Sequence, residues 1–161
     1  MALKILVTGG TLDKRYQETR GELIFTQTHI PKILKQARVT MPYTLETLML
    51  IDSLDMTDGD RERILKACKN AKEKNILITH GTDTMRETAE VLGKAKLNKT
   101  IVLTGAMRPY EMSETDAVFN VGFAFACAQT SPTGVYIAMN GRVFDWDKVR
   151  KNKEVGRFEK I

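Results

Sequence analysis

Ile76-Leu77-Ile78-Thr79-His80-Gly81-Thr82-Asp83-Thr84 is the stretch on which the reading of this chain turns. Three aliphatic residues form a short continuous apolar run, as a parallel strand covered on both faces requires. The run stops at Thr79, and Gly81 permits a sharp turn. Three polar residues follow, two hydroxyls around one acid: Thr82, Asp83 and Thr84. Asp83 or Thr84 can cap a helix that starts there, with Glu87 placed to answer Thr84 in a capping box. The pattern predicts polar groups held at the carboxyl end of a buried strand, where open parallel sheets place their ligands.

Two other stretches share this design, Lys4-Ile5-Leu6-Val7-Thr8-Gly9-Gly10-Thr11 and Thr100-Ile101-Val102-Leu103-Thr104-Gly105-Ala106. Each runs from aliphatics to a threonine, with glycine within two residues. Three strands that end alike predict three tips meeting at one site.

The rest of the sequence bounds the answer. A length of 161 residues fits one domain with a real core. No apolar run reaches transmembrane length. The opening MALKILVTGG lacks the apolar segment and cleavage site of a signal peptide, so the expected location is cytoplasmic. Cys68 and Cys127 fall in helical apolar patterns and read as buried, reduced thiols. There is no CxxC pair and no metal-spaced Cys/His cluster, and neither a metal nor a cofactor is expected. The net charge of +5 is spread along the chain. Its one dense stretch, Lys148 to Lys153, lacks aromatic interleaving and is flanked by Asp145, Asp147 and Glu154, so neither nucleic acid nor a membrane is an expected partner.

In chain order, strands are expected at Leu3 to Val7, Gly21 to Phe25, Thr47 to Ile51, Ile76 to Thr79, Ile101 to Thr104 and Val135 to Met139. Asn140-Gly141 predicts a hairpin into Arg142 to Phe144. Helical spacing appears at Ile30, Ile33, Leu34 and Ala37, with Pro31 acceptable in the first turn. A second helix is capped by Thr57 or Asp58 and turns Ile64, Leu65, Cys68 and Ala71 inward. A third runs from Thr84 to Lys96 with Met85, Ala89 and Leu92 inward. A fourth, from Ser113 to Gln129, is apolar on nearly all sides. Asp13 to Arg20 reads as a mobile loop beside the first tip, and the charged end after Phe144 reads as irregular. Strands alternating with helices predict an α/β fold, a single-domain three-layer α/β/α sandwich with a mainly parallel, Rossmann-like sheet.

The polar residues at the tips are Thr8, Thr11, Ser53, Thr82, Asp83 and Thr104. Hydroxyls and an acid without a reactive thiol point to a threonine or serine nucleophile, which needs a group to take its proton. Only two histidines exist. His29 lies at a helix start, where capping or a surface role is expected, and His80 sits inside the central turn. The alternative base is a lysine held near threonine and aspartate. Tyr16 could relay a proton to Thr11. Thr8 and Thr104 read as ties between strand ends. Val7-Thr8-Gly9-Gly10 also resembles a nucleotide-binding turn, but that motif needs a third glycine opening a helix, and Thr-Leu-Asp-Lys-Arg follows Gly10.

Taken together, three signatures resemble the amino-terminal catalytic domain of the bacterial-type L-asparaginases, the asparaginase/glutaminase family. They are Thr8-Gly9-Gly10-Thr11, Thr79-His80-Gly81-Thr82-Asp83-Thr84 and Thr104-Gly105-Ala106-Met107-Arg108-Pro109, with a weaker match at Met139-Asn140, Val149 and Lys151. The resemblance implies hydrolysis of a side-chain amide, L-asparagine above all with glutamine as a minor substrate, through a covalent acyl-enzyme and without a cofactor. It implies catalytic roles for Thr11, Tyr16, Thr82, Asp83 and Lys151. It implies that Ser53 grips the substrate's α-carboxylate, that Asp83 holds its α-ammonium, and that the backbone at Gly10, Gly81 and Ala106 lines the site. Long members of the family have a second, carboxyl-terminal domain, and none is expected here; the expected compensation is a homodimer or homotetramer, with the Ser113 to Gln129 helix as the contact. Leu54 stands where the long enzymes usually carry glutamine, and Lys148 and Lys153 flank Lys151. The other readings open at this stage are an amino-acid-binding module without turnover and the nucleotide-binding oxidoreductase.

Overall fold

The aliphatic runs line up because each is buried on both faces and must satisfy its backbone against a neighbour. In the computed structural model, which describes residues 1–161, the strands β1 (Leu3–Gly9), β4 (Tyr43–Ile51), β5 (Asn75–Thr79), β6 (Thr100–Thr104), β7 (Gly134–Met139) and β8 (Arg142–Asp145) form one sheet. Its order is β4-β1-β5-β6-β7-β8, parallel except for the final β7–β8 hairpin. Val7 pairs with Thr79, and Thr79 with Thr104, so three of the tips end level. Asn140 and Gly141 both have positive φ, 50° and 81°, as the tight hairpin turn requires.

Helices cover both faces. Leu6, Ile76, Ile78, Ile101, Leu103 and Ile137 pack beneath α2 (Asp58–Asn70) and α3 (Met85–Lys94). The alternate residues Ile5, Val7, Leu77, Val102 and Ala138 pack beneath α1 (Ile30–Gln36) and α4 (Ala117–Thr130). The period-two alternation of a strand thus sends every second side chain to each layer, and the three-layer sandwich follows. Thr57 starts α2 with a full capping box, answered by Asp60.

Several expectations are corrected. Asp13 to Arg20 is not a mobile loop: Thr11–Asp13 is a 3-10 turn, and β2 (Lys14–Gln17) pairs antiparallel with β3 (Glu22–Phe25). The charged carboxyl end is not irregular: β9 (Val149–Asn152) and β10 (Arg157–Lys160) form a second hairpin, pinned by the buried Val149 and Phe158. β4 begins at Tyr43, four residues before the expected start, because its polar first half lies on the sheet edge and shows no apolar run. α4 begins at Ala117 rather than Ser113, since the Asp116 carboxylate turns back to bond Met107 N and Arg108 N. The Thr84–Glu87 capping box does not form; the Thr84 hydroxyl donates to Ser53 O instead, at 2.7 Å. His29 neither caps with its side chain nor lies on the surface; its ring is buried.

Candidate active site

Glycine lets the tips touch. Gly10 has φ 83°, and a Cβ there would fall 2.4 Å from Gly81 N. A Cβ on Gly81 would fall 2.6 Å from Ser53 Oγ, and one on Gly105 2.3 Å from His80 O. The turns after β4, β1, β5 and β6 are therefore in direct backbone contact, a closeness that no other residue type permits. Gly10, Gly81, Ser53 and Ala106 come together at the carboxyl edge of the sheet, and half-buried Thr11 follows Gly10.

Threonine ties the edge below. Thr8 donates to Thr79 O and Thr104 to Ala138 O, each at 2.7 Å, as expected of these two residues. His80 is fully buried. Its Nδ1 lies 2.7 Å from Gly81 O, an acceptor, so that nitrogen carries the proton; Nε2 accepts from Thr88 at 2.7 Å. Burial, with the Arg61 charge adding to it, holds the ring down to about 4 against the pull of the Gly81 carbonyl. Both nitrogens are engaged and the ring is neutral, so His80 builds the turn and is no base.

The charged centre lies beside it. Lys151, carried across from β9, places Nζ 2.8 Å from Thr82 Oγ1 and 2.7 Å from Asp83 Oδ1. The side chain of Lys151 is 11% exposed and that of Asp83 36%, so the acid keeps an open face while the amine is held within. Ser53 is buried; its Oγ accepts from Thr84 N at 3.2 Å, which leaves its own proton unengaged. Arg61 braces this turn by donating to Thr84 Oγ1 at 3.0 Å. Tyr16 stands apart. It is 53% exposed on β2 and makes no hydrogen bond to Thr11, and its hydroxyl lies toward Gly21 at the hairpin's far end.

Other residues position the site without having been singled out from sequence. Asp52, next to Ser53, accepts from Leu54 N at 2.9 Å and pairs with Lys14 at the root of the β2–β3 hairpin. The Lys14 ammonium holds its carboxyl below the usual aspartate value, against a smaller effect of burial. Asp116 accepts from Met107 N at 2.9 Å and from Asn140 Nδ2 at 3.0 Å, and Asn120 donates to Gly105 O at 2.9 Å. That network fixes the Ala106 turn. A sequence shows Asp116 as a helix-start residue but not that its side chain faces backwards.

The chain matches the family model described as Asparaginase, N-terminal over residues 2–158. A probable periplasmic L-asparaginase of Haemophilus influenzae is 33% identical, over 92% of this chain and 46% of the relative. A glutamyl-tRNA(Gln) amidotransferase component of Methanococcus vannielii is 33% identical, over 89% of this chain and 35% of the relative. Among solved structures, the thermostable L-asparaginase from Thermococcus kodakarensis superposes with a TM-score of 0.88 at 28% identity, over 100% of this chain and 51% of that one. A probable cytoplasmic L-asparaginase from Campylobacter jejuni gives 0.80 at 31% identity, over 98% and 52%. The chain thus spans about half or less of the length of these relatives. A family match across nearly the whole chain, together with the shared α/β fold, leads to one conclusion: this chain belongs to the asparaginase family.

Proposed function

We propose that this protein is an amidohydrolase that cleaves the side-chain amide of L-asparagine, with glutamine as a minor substrate, to give aspartate and ammonia. The observation that carries this reading is the Lys151 amine held between Thr82 Oγ1 and Asp83 Oδ1 beside the packed tips. The substrate is a zwitterion. The open face of Asp83 suits its ammonium, and the unengaged Ser53 proton suits its carboxylate. A threonine oxygen, from Thr11 or Thr82, attacks the carboxamide carbon. The C–N bond breaks, ammonia leaves with the proton relayed to it, and water then cleaves the ester. Backbone N–H groups at Gly81 and Ala106 suit the oxyanion, whereas Gly10 N already donates to Ile51 O at 2.9 Å. Tyr16 joins only if the β2–β3 hairpin bends over Thr11. No cofactor enters this chemistry. The two free, buried cysteines fit a cytoplasmic setting, and self-association through α4 would cover the site.

A second reading is favoured by the amidotransferase relative: an amidase that releases ammonia within a larger assembly. A third is an amino-acid-binding module. Ammonia release from L-asparagine and L-glutamine by the isolated chain, with Thr11→Ala and Thr82→Ala beside it, separates them. Turnover lost in both variants supports the first reading. Binding of asparagine without ammonia overturns it in favour of the module. Silence toward both free amides overturns it in favour of an assembly-dependent enzyme.

A further inference from the structure

Asp13 closes the 3-10 turn that begins with Thr11, and its carboxyl is wholly buried. Oδ1 accepts from His29 N at 2.7 Å and from the Thr28 hydroxyl at 3.1 Å; Oδ2 has no partner. The buried His29 ring stands beside it. Nδ1, also without a hydrogen-bond partner, lies 3.6 Å from Asp13 Oδ1, and Nε2 lies 3.1 Å from Glu111 Oε1. An imidazole thus stands between two carboxylates on different segments. Asp13 belongs to the Thr11 turn, and Glu111 to the segment that leads from Ala106 to α4. The same segments are joined by Tyr110 N donating to Leu12 O at 3.1 Å.

Proton counting decides the state of this cluster. A carboxylate only accepts, so Nε2 carries the hydrogen that faces Glu111. A bare Nδ1 lone pair facing an ionised Asp13 would be repulsive, and a buried carboxylate with an empty oxygen is costly. One extra proton on the Nδ1–Asp13 pair, an ionic contact at 3.6 Å rather than a hydrogen bond, removes that repulsion. The remaining charges nearby are Arg15 on β2, with Nε 3.8 Å from Glu111, and Lys32 on α1, which stacks over the Tyr110 ring at 5.7 Å. That ring itself lies 5.4 Å from the His29 ring. With Arg15 counted, the protonated cluster is neutral. The three side chains do not surround a common point that could hold a metal ion.

We propose that Asp13, His29 and Glu111 form a one-proton clamp that positions Thr11 against the Ala106 turn, and that His29 is a positioning residue for the amide hydrolysis. The inference rests on the amidohydrolase reading for its catalytic consequence only. Burial also pushes the Asp13 carboxyl up, in the direction the clamp needs, against the hydrogen bond from His29 N. Loss of the proton as pH rises leaves a buried, unpaired acid under Thr11, so activity falls on the alkaline side.

Two readouts test this on the full chain. The first is the backbone amide signal of Thr11 by NMR. It should shift in Glu111→Ala, whose side chain reaches the Thr11 turn only through His29 and Asp13. The second is steady-state kinetics. His29→Gln should lower kcat by about 10²-fold through misplacement of Thr11, with KM changed by less than about threefold. Glu111→Ala, at a half-exposed position that tolerates truncation, should act in the same direction if His29→Gln does not fold. An unmoved Thr11 amide signal, or wild-type kcat in both folded variants, overturns the clamp. A wild-type protein that hydrolyses no amide but whose Thr11 signal shifts in Glu111→Ala sinks the amidohydrolase reading and supports the clamp alone.

Discussion

At the scale of single residues, the proposed chemistry and the folding fall to different side chains around one tip. Lys151 links Thr82 and Asp83, but Asp83 keeps 36% of its side chain in solvent, so loss of the amine strands no buried charge and costs little stability. Lys151→Met should therefore lower kcat by about 10²- to 10⁴-fold, the usual cost of losing a positioned acid–base group. Its unfolding free energy should stay within about 1 kcal/mol of wild type. Urea melts beside the ammonia assay check both, and a variant that keeps its activity would remove Lys151 from the mechanism. His80 is the converse, a structural residue in the middle of the motif. Its folded value of about 4 lies below the ordinary 6.5 because burial disfavours the charged ring. Between those values the unfolded chain holds a proton that the folded chain refuses, so stability falls as pH drops through this window. The full loss is on the order of 3 kcal/mol by pH 4. The lowered Asp52 acts only below its ordinary 3.8, and the raised Asp13 works in the opposite sense. Urea unfolding at pH 7, 6 and 5 measures the slope; a flat profile would mean that the buried ring accepts the proton after all.

At the scale of elements, what was legible followed burial. The runs Leu3 to Val7, Ile76 to Thr79 and Ile101 to Thr104 are covered on both faces, and such strands show themselves as near-continuous aliphatics, with Lys4 alone breaking the first. Of the two small hairpins only the strand at Gly21 to Phe25 was legible. Lys14–Gln17 and Arg157–Lys160 are mostly polar, short and held by contacts from far along the chain. The second one matters for the proposed chemistry, since Lys151 pairs with Phe158 across it and Phe158 is 4% exposed in the core under α3. Phe158→Ala should cost about 3 kcal/mol of stability by leaving a cavity. It should also lower kcat, because the strand that aims Lys151 loses its anchor. Phe158→Leu, which refills most of that space, should recover most of both. Truncation that destabilises the fold yet leaves kcat untouched would show that β9 is aimed by Val149 alone.

At the scale of the molecule, the position of the site followed from topology before any side chain was placed. Strand tips ending in threonine and glycine had to meet at one edge, and the direct contact of Gly10, Gly81 and Ser53 is how they do so. What the sequence hid was the long-range wiring around that edge, from Lys14 to Asp52 and from Asp116 to the Ala106 turn, because no local pattern encodes a partner dozens of residues away. The outer surface of α4 raises the remaining question of scale. Buried positions cover one side of this helix, while Phe119, 61% exposed, stacks with Phe123 at 6.1 Å on the other. Gly122 and Ala126 extend the same uncharged stripe. A stripe of this kind is what association between copies would bury. Light scattering of the purified chain at micromolar concentration should therefore give a mass of at least twice 18.2 kDa. Phe119→Asp, which sets a charge in the stripe without touching the core, should return the monomer mass with the melting temperature little changed. If that variant loses asparagine turnover as well, the neighbouring copy completes the site; if it keeps turnover as a monomer, one domain is sufficient for catalysis. A wild-type chain that already scatters as a monomer would leave the stripe solvated and assign the whole activity to a single copy.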